Sequence, residues 1–341
     1  MILSTSSGGF VTQDDVLRLA DLGFTHIVTA NSARPSRDFE KTITYAHASG
    51  LKVISRFPDW QGLALCEAPF LFETADGFTN APFPGSGARV DGCSYWAMDG
   101  EARVLSSLPP LVDVGIDGIL ASGIVCDRPM PNDFYPWPDR LKYTTHFWCH
   151  DPNAKKAWAE ISDEPMPAQA LFGHDGRALF GDEFYRFYQN GWLSRITRLA
   201  DAGLDAGLRD IWTWLVPLDF PDPENAASAT YSSVLPMEHW RQHVIARGGS
   251  PVQVCACLAG LWTRWRTPGL ETMRQANTHL GWTSIAGAEA WGPDCISNLT
   301  KHGRLYQEHG FAGLFCSTGD ILAKYDEAAS ALAQVHQMFG G

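Results

Sequence analysis

The sequence lacks several features that would assign it to a class of protein at once. No stretch approaches the roughly 18 apolar residues of a membrane span, so we expect no membrane partner. The first residues lack the charged and then apolar segments of a signal peptide. This predicts a cytoplasmic protein, or a secreted one whose signal peptide has been removed. No cysteine pair has the CxxC spacing that is typical of zinc sites.

Basic residues are scarce relative to acidic ones. Lys and Arg together number 26 and Asp and Glu 38, which gives a net charge of −12. A surface with this balance repels the phosphates of nucleic acids and of anionic membranes, so we expect neither as a partner. A homo-oligomer remains possible, because nothing in the sequence addresses the oligomeric state.

Motifs for common cofactors are missing where an α/β protein would carry them. Neither GxGxxG nor a Walker sequence follows the first predicted strand. That strand also lacks the His-x-His pair of an amidohydrolase, and predicted strands four to eight lack the strand-end lysine of a Schiff-base aldolase. We therefore expect no cofactor and no bound metal.

What the sequence does contain is a regular alternation of short apolar runs and longer amphipathic segments. Eight strands are predicted, at residues 1–5, 26–30, 51–56, 119–125, 210–216, 252–258, 282–288 and 311–316. Helices are predicted between them, including a single kinked helix over 101–114 and a single closing helix over 321–339. Eight strand–helix units predict a closed (β/α)8 TIM barrel that occupies residues 1–341 as one domain.

Two long segments interrupt this alternation. Residues 57–97 and 126–180 are rich in proline and aromatic residues, and they follow the third and fourth predicted strands. Long irregular segments inside a compact domain are often functional. Because both leave the carboxyl ends of strands, we expect insertions at the C-terminal face, where barrel active sites form.

The strongest chemical signal surrounds Glu289. This acid stands where the seventh predicted strand ends, Trp291 follows, and residues 292–294 (GPD) turn the chain toward a helix. A carboxylate beside an indole suits sugar chemistry, because the acid handles protons or a cationic centre and the indole stacks on a pyranose face. The alternative is a solvated loop acid with a tryptophan that packs at the rim.

Other residues just beyond the predicted strands should line an acidic depression at the C-terminal end of the barrel, together with many indole rings. Three carboxylates are candidates for the second catalytic group: Asp127, Asp219 and Asp320. The candidate sugar platforms are Trp60, Trp137, Trp214, Trp262 and Trp291. Further substrate-binding candidates are Asn31, Arg56 and Arg264, and the two arginines suit an anionic sugar such as a uronate.

Three stretches resemble TIM-barrel glycoside hydrolases, in particular the clan that contains the family 42 β-galactosidases. Residues 115–120 (GIDGIL) are similar to the entry into the fourth strand of those barrels. Residues 147–150 (FWCH), with 154–158 and 184–192, resemble the segment that follows that strand. Glu289 falls where the clan keeps its nucleophile. The resemblance implies a barrel fold and hydrolysis of glycosidic bonds.

The chain departs from this clan at the end of the fourth strand. The clan carries an Asn-Glu pair there, with the Glu as general acid, whereas residues 122–127 of this chain read SGIVCD. Asp127 is therefore the positional substitute, with Asp219 and Asp320 as alternatives. Glu183 is a further carboxylate, although a first-turn position favoured by the helix dipole explains it better.

The sequence thus predicts a glycoside hydrolase in which Glu289 is nucleophile or base and Asp127 the acid. A non-catalytic carbohydrate-binding barrel is the main alternative. A third possibility is a metal-dependent barrel enzyme, such as a deacetylase or isomerase. Its ligands would be His26, His146, His150 and Asp127.

Overall fold

The structure is a computed structural model. It describes residues 1–7, 11–29, 36–57, 73, 94–121, 150–166, 182–215, 234–255, 263–287 and 296–340. Within these ranges, only the backbone is described for residues 6–7, 182–186, 188–189, 214–215, 234–236 and 263–269.

Eight parallel strands form a closed barrel in which each strand pairs with its neighbours in chain order and the last pairs with the first. The strands are β1 (Ile2–Ser7), β2 (His26–Thr29), β3 (Lys52–Phe57), β4 (Gly118–Ala121), β5 (Asp210–Leu215), β6 (Ser250–Cys255), β7 (Ser284–Gly287) and β8 (Gly313–Ser317). All eight predicted strands are present, and the (β/α)8 barrel is confirmed.

Helices occupy the connections between strands. They are α1 (Gln13–Asp21), α2 (Arg37–Ala48), α3 (Met98–Leu105), α4 (Leu108–Asp113), α5 (Pro152–Ala159), α6 (Asp182–Asp205), α7 (Val234–Ala246), α8 (Thr263–His279), α9 (Leu299–Glu308), α10 (Thr318–Ala323) and α11 (Tyr325–Gly340). Among the described residues, no helix combines the length and apolar character needed to span a membrane.

Two helix predictions were wrong in the same way, because each segment that we predicted as one helix forms two helices. The segment 101–114 belongs to α3 and α4, which are separated at Ser106 and Ser107. Pro109 and Pro110 lie in the first turn of α4, where backbone N–H groups need no intrahelical acceptor, so no kink forms. The closing helix is likewise divided into α10 and α11 at Lys324.

Alternating residues of each strand fill the barrel or pack against the helices. The barrel interior contains a cluster of buried side chains: Val28, Ile54, Leu120, Trp212, Val252, Val254, Ile285 and Phe315. A larger apolar layer lies between the strands and the helices. Trp212 and Trp240 are fully buried in these two layers, so part of the high tryptophan content forms core rather than a binding surface.

Candidate functional site

The catalytic candidate Glu289 follows the end of β7 by two residues in the sequence, and β7 ends at the C-terminal edge of the barrel. The residue itself is outside the described part of the chain. The same holds for seven other candidates: Asn31, Trp60, Asp127, Trp137, Asp219, Trp262 and Trp291. Their roles therefore remain predictions. Parallel strands bring their carboxyl ends to one edge, which is the structural basis for grouping them.

Four candidates lie within described elements. Arg56 follows Ile54 by two residues on β3, so it is on the inner face of the barrel, and it is half-buried. Trp214 is on β5, where its backbone pairs in register with Val254. Asp320 is exposed in the first turn of α10, three residues after β8 ends. The backbone of Arg264 is in the first turn of α8.

Hydrogen bonds hold two of the strand ends at this edge. The hydroxyl oxygens of Thr5 and Thr318 lie 2.7 Å apart in a buried contact that joins β1 to α10. The buried Tyr306 on α9 donates a longer hydrogen bond, of 3.4 Å, to the carbonyl oxygen of Gly287. Gly287 ends β7, so this contact restrains the backbone two residues before Glu289.

A groove of 880 Å³ lies between α3, α5 and α6. Its apolar part is formed by Tyr95, Trp96 and Phe187, and the Trp96 and Phe187 rings are stacked with centroids 4.3 Å apart. The Trp96 ring also lies over Gly191, where a Cβ atom would come within 2.6 Å of Trp96 Cζ2. The indole is therefore held rigidly. Polar side chains complete the lining, including Asn153, Lys156, Glu160, Asn190 and Ser194.

A buried ion network anchors the segment that contains Trp96. Glu101 on α3 is 2% exposed and accepts hydrogen bonds from Nε of Arg195 (3.3 Å) and Nε of Arg198 (2.5 Å), both on α6. Arg195 and Arg198 also donate to the carbonyl oxygens of Ser94 and Tyr95. The network thus fixes residues 94–97, where the chain returns from the first predicted insertion.

The two predicted insertions also contact each other. The backbone N–H of His150 donates to the carbonyl oxygen of Glu73 over 2.6 Å. The next residue, Asp151, caps α5 by accepting from the backbone N–H groups of Asn153 and Ala154. Burial raises the pKa of Asp151, against the opposing effect of these hydrogen bonds. The extent of the insertions at 57–97 and 126–180 stays a prediction, because most of both falls outside the described residues.

A second cavity, of 440 Å³, opens at the N-terminal end of the barrel. His26, Lys52 and Asp210, the first residues of their strands, line it together with Trp212. Lys52 Nζ lies 2.7 Å from Asp210 Oδ2, and the His26 ring packs on Trp212 with centroids 5.0 Å apart. Sequence reasoning missed this cavity, since the amino ends of strands carry no recognisable motif.

The position of His26 weakens the metal-dependent interpretation. His26 is at the amino end of β2, at the N-terminal mouth, whereas the predicted insertions follow the carboxyl ends of strands. Within the described ranges, no group of three or more His, Cys, Asp or Glu side chains is arranged to hold a metal ion. Cys255 and Cys316 are buried cysteines, and burial raises the pKa of Cys255.

His26 gives a pH-dependent contribution to stability. Burial, reinforced by Lys52, lowers its pKa from 6.5 to about 4, although Asp210 and Asp117 oppose the shift. The unfolded chain therefore binds more protons than the folded one between these values. We expect the contribution of His26 to the free energy of unfolding to be complete above pH 6.5. It should be lost as the pH drops toward 4, which lowers the free energy of unfolding by ~3 kcal/mol at most.

Urea unfolding of wild type and His26→Gln at pH 7 and pH 4.5 checks this expectation. The variant should lose less stability than wild type over this interval. Burial acts to raise the pKa of Asp201, but hydrogen bonds from His243 and Arg247 outweigh it and lower the pKa, and this carboxylate is common to both proteins. Equal losses in the two proteins would contradict the assignment to His26.

Comparisons with known proteins identify the fold and no family. No protein-family model matches the sequence, and no match was found among curated proteins. Among solved structures, α-L-fucosidase isoenzyme 2 from Paenibacillus thiaminolyticus is similar with a TM-score of 0.61 and 14% identity. The match covers 98% of this chain and 49% of the fucosidase, so the chain spans about half the length of that enzyme.

Two further structures resemble the chain more weakly. D-psicose 3-epimerase from Clostridium cellulolyticum H10 has a TM-score of 0.46 and 10% identity, with 99% of both chains covered. A Bacteroidetes-affiliated GH5 cellulase has a TM-score of 0.39 and 11% identity, with 98% of this chain and 84% of the cellulase covered. Similarities at this level do not distinguish one barrel protein from another. The class that the fold defines is the (β/α)8 barrel.

Proposed function

We propose that this protein is a glycoside hydrolase whose active site lies at the C-terminal mouth of the barrel. The proposal rests on the end of β7 at Gly287, which lies at the edge where barrel enzymes place catalytic groups, and on residues 288–294, which follow β7 in the sequence. Glu289 acts as nucleophile or base in this proposal, and Trp291 supports a sugar ring. The fucosidase with a similar fold acts on a sugar substrate by its name, which agrees with this substrate class.

The second carboxylate is proposed to be Asp127, with Asp219 and Asp320 as alternatives. Asp127 follows β4 by six residues, and Asp320 is exposed three residues after β8. Carboxyl groups about 5 Å apart would retain the anomeric configuration, and groups about 6.5–9.5 Å apart would invert it. Arg56, on the inner face of β3, is proposed to bind a substrate hydroxyl or carboxylate group.

The test is turnover of a panel of aryl glycosides and oligosaccharides by the purified protein, with analysis of the products. Release of a sugar with a defined anomeric configuration would support the proposal. Absence of turnover across α- and β-linked fucosides, galactosides, glucosides and glucuronides would count against it.

A non-catalytic carbohydrate-binding barrel is the second candidate, and the groove around Trp96 favours it. A rigid indole beside amide, hydroxyl and charged side chains is a common arrangement for sugars, because the ring supports the apolar sugar face and polar groups bind hydroxyls. Lys156 and Glu160 carry opposite charges, and Arg198 is already paired with Glu101. The groove therefore suits an uncharged ligand.

Trp96→Ala tests this candidate in affinity electrophoresis with xyloglucan, β-glucan and galactan. Loss of the indole should weaken retention by about tenfold, the order expected for one aromatic contact. Tyr45→Ala is the matched control, since Tyr45 is a half-buried aromatic residue on α2 that does not line the groove. Retention that is identical in wild type and both variants would exclude the groove as the binding site.

A further inference from the structure

The groove between α3, α5 and α6, the Trp96 groove, has two exposed apolar side chains in its lining. Met98 is 52% exposed and Ile161 is 53% exposed, the highest values among the large apolar side chains of the described residues. A single exposed apolar side chain is normal on a protein surface. Two of them that share one groove with the partly exposed Trp96 indole form an apolar surface of the kind that marks a binding site.

Two helices line the groove along its length. The α5 side is formed by residues spaced three or four apart, which therefore lie on one face of the helix: Asn153, Lys156, Ala157 and Glu160. The α6 side has the same spacing: Phe187, Asn190, Gly191, Ser194 and Arg198. At 1.5 Å per residue these faces extend over ~10 Å and ~16 Å. A single sugar ring is shorter than either face, so a bound sugar leaves room for a group attached to it.

The groove presents polar and apolar side chains together. Asn190 and Ser194 are exposed on α6 and can bind hydroxyl groups. A purely apolar ligand would cover them without replacing their hydrogen bonds to water, which is unfavourable. An unsubstituted sugar, in contrast, would leave Met98 and Ile161 in water. The lining therefore favours a ligand that has a hydroxylated part and an apolar part.

We propose that the Trp96 groove binds uncharged glycosides whose sugar carries an aromatic substituent. The sugar ring lies against Trp96, and its hydroxyl groups contact Asn190 and Ser194. The substituent packs on Met98 and Ile161. Methionine suits this role, because its side chain is flexible and its sulfur makes favourable contacts with aromatic rings.

The size of the groove agrees with this class of ligand. Its volume of 880 Å³ lies within the range of about 300–1,000 Å³ that is usual for small-molecule sites. The inference rests on the groove being a carbohydrate site, the second candidate function, and does not depend on the proposed catalytic mouth.

The ε-methyl signals of ¹³C-labelled methionines provide a direct test. Met98→Gln assigns the signal of Met98, and the exposed position means that this variant should fold normally. The probes are the phenyl and methyl thioglycosides of glucose, galactose and xylose, because a thioglycosidic bond resists hydrolysis at the proposed catalytic mouth. A phenyl ring packed on Met98 shifts its methyl signal through the ring current, and a methyl thioglycoside has no such ring.

We expect a saturable shift of the Met98 signal with at least one phenyl thioglycoside. The matching methyl thioglycoside should displace it with about tenfold weaker affinity, because it buries less apolar surface. Ile161→Gln should reduce this preference to about threefold or less, since part of the apolar contact is removed. Leu17→Gln is the matched control, an exposed apolar residue on α1 that does not line the groove, and it should keep the wild-type preference.

The remaining outcomes separate this inference from the carbohydrate site on which it rests. Equal affinities for phenyl and methyl thioglycosides, or a phenyl preference that Ile161→Gln leaves intact, would overturn the substituent site and leave the groove as a carbohydrate site. Phenol that binds as tightly as the phenyl thioglycosides would overturn it in favour of a purely apolar pocket. If no probe shifts the Met98 signal and Trp96→Ala leaves polysaccharide retention unchanged, both the inference and the second candidate function fail.

Discussion

Glu289→Gln should lower the turnover of the best glycoside substrate by ~10³-fold or more while leaving substrate binding nearly unchanged. The substitution keeps the size of the side chain and its capacity to accept a hydrogen bond, but it removes the negative charge that attacks or stabilises an oxocarbenium-like centre. Positioned acid–base groups alone contribute roughly 10²–10⁴-fold to such reactions. The effect should therefore appear in kcat rather than in KM.

The matched control is Glu308→Gln, which makes the same chemical change at an exposed residue in the last turn of α9. Its kinetics should equal those of wild type. The three proteins are compared by their steady-state rates and by their sugar binding, measured with calorimetry. Turnover that survives in Glu289→Gln would remove Glu289 from the mechanism, and Asp127→Asn, Asp219→Asn and Asp320→Asn would then be compared in the same assay.

Glu101→Ala should destabilise the protein by roughly 3–5 kcal/mol, the usual result of removing one partner from a buried ion pair. Glu101 is the carboxylate shared by Arg195 and Arg198, and Arg195 is only 1% exposed. Without Glu101, the Arg195 guanidinium would remain buried without its carboxylate. Urea unfolding followed by circular dichroism measures the difference in free energy.

Glu271→Ala is the control for this prediction. Glu271 also binds an arginine three residues away, Arg274, but both side chains are more than 40% exposed. Hydrogen bonds from Arg274 lower the pKa of Glu271 to about 2, yet solvent screens such a surface pair. Its removal should therefore have a much smaller effect on stability. Comparable losses in the two variants would show that the network around Glu101 has no special structural role.

The consequences of Glu101→Ala should extend to the Trp96 groove. The network holds the carbonyl groups of Ser94 and Tyr95, so its loss would release the segment on which Trp96 is carried. Glu101→Ala should consequently weaken any polysaccharide retention that depends on Trp96, although Glu101 itself does not line the groove.

The barrel could be predicted because its pattern is local. Each strand is a short apolar run, and glycines with positive φ such as Gly23 and Gly50 mark where helices end. Eight strand–helix units of this kind strongly favour closure of the parallel sheet into a barrel. The position of Glu289 beyond a strand end was visible for the same reason, since it depends on where β7 stops rather than on long-range contacts. The division of residues 101–114 into two helices was missed because prolines fit a first turn as readily as they break a helix.

The sequence by itself therefore determined the fold class, the strand order and the edge of the barrel at which function is expected. Only the tertiary structure decided which distant side chains meet. Glu101 contacts Arg195 and Arg198 across more than 90 residues of sequence, and His26 meets Trp212 inside the barrel. Local periodicity specifies which face of an element is buried, but the partners across that face depend on register and helix packing, which no short stretch of sequence encodes.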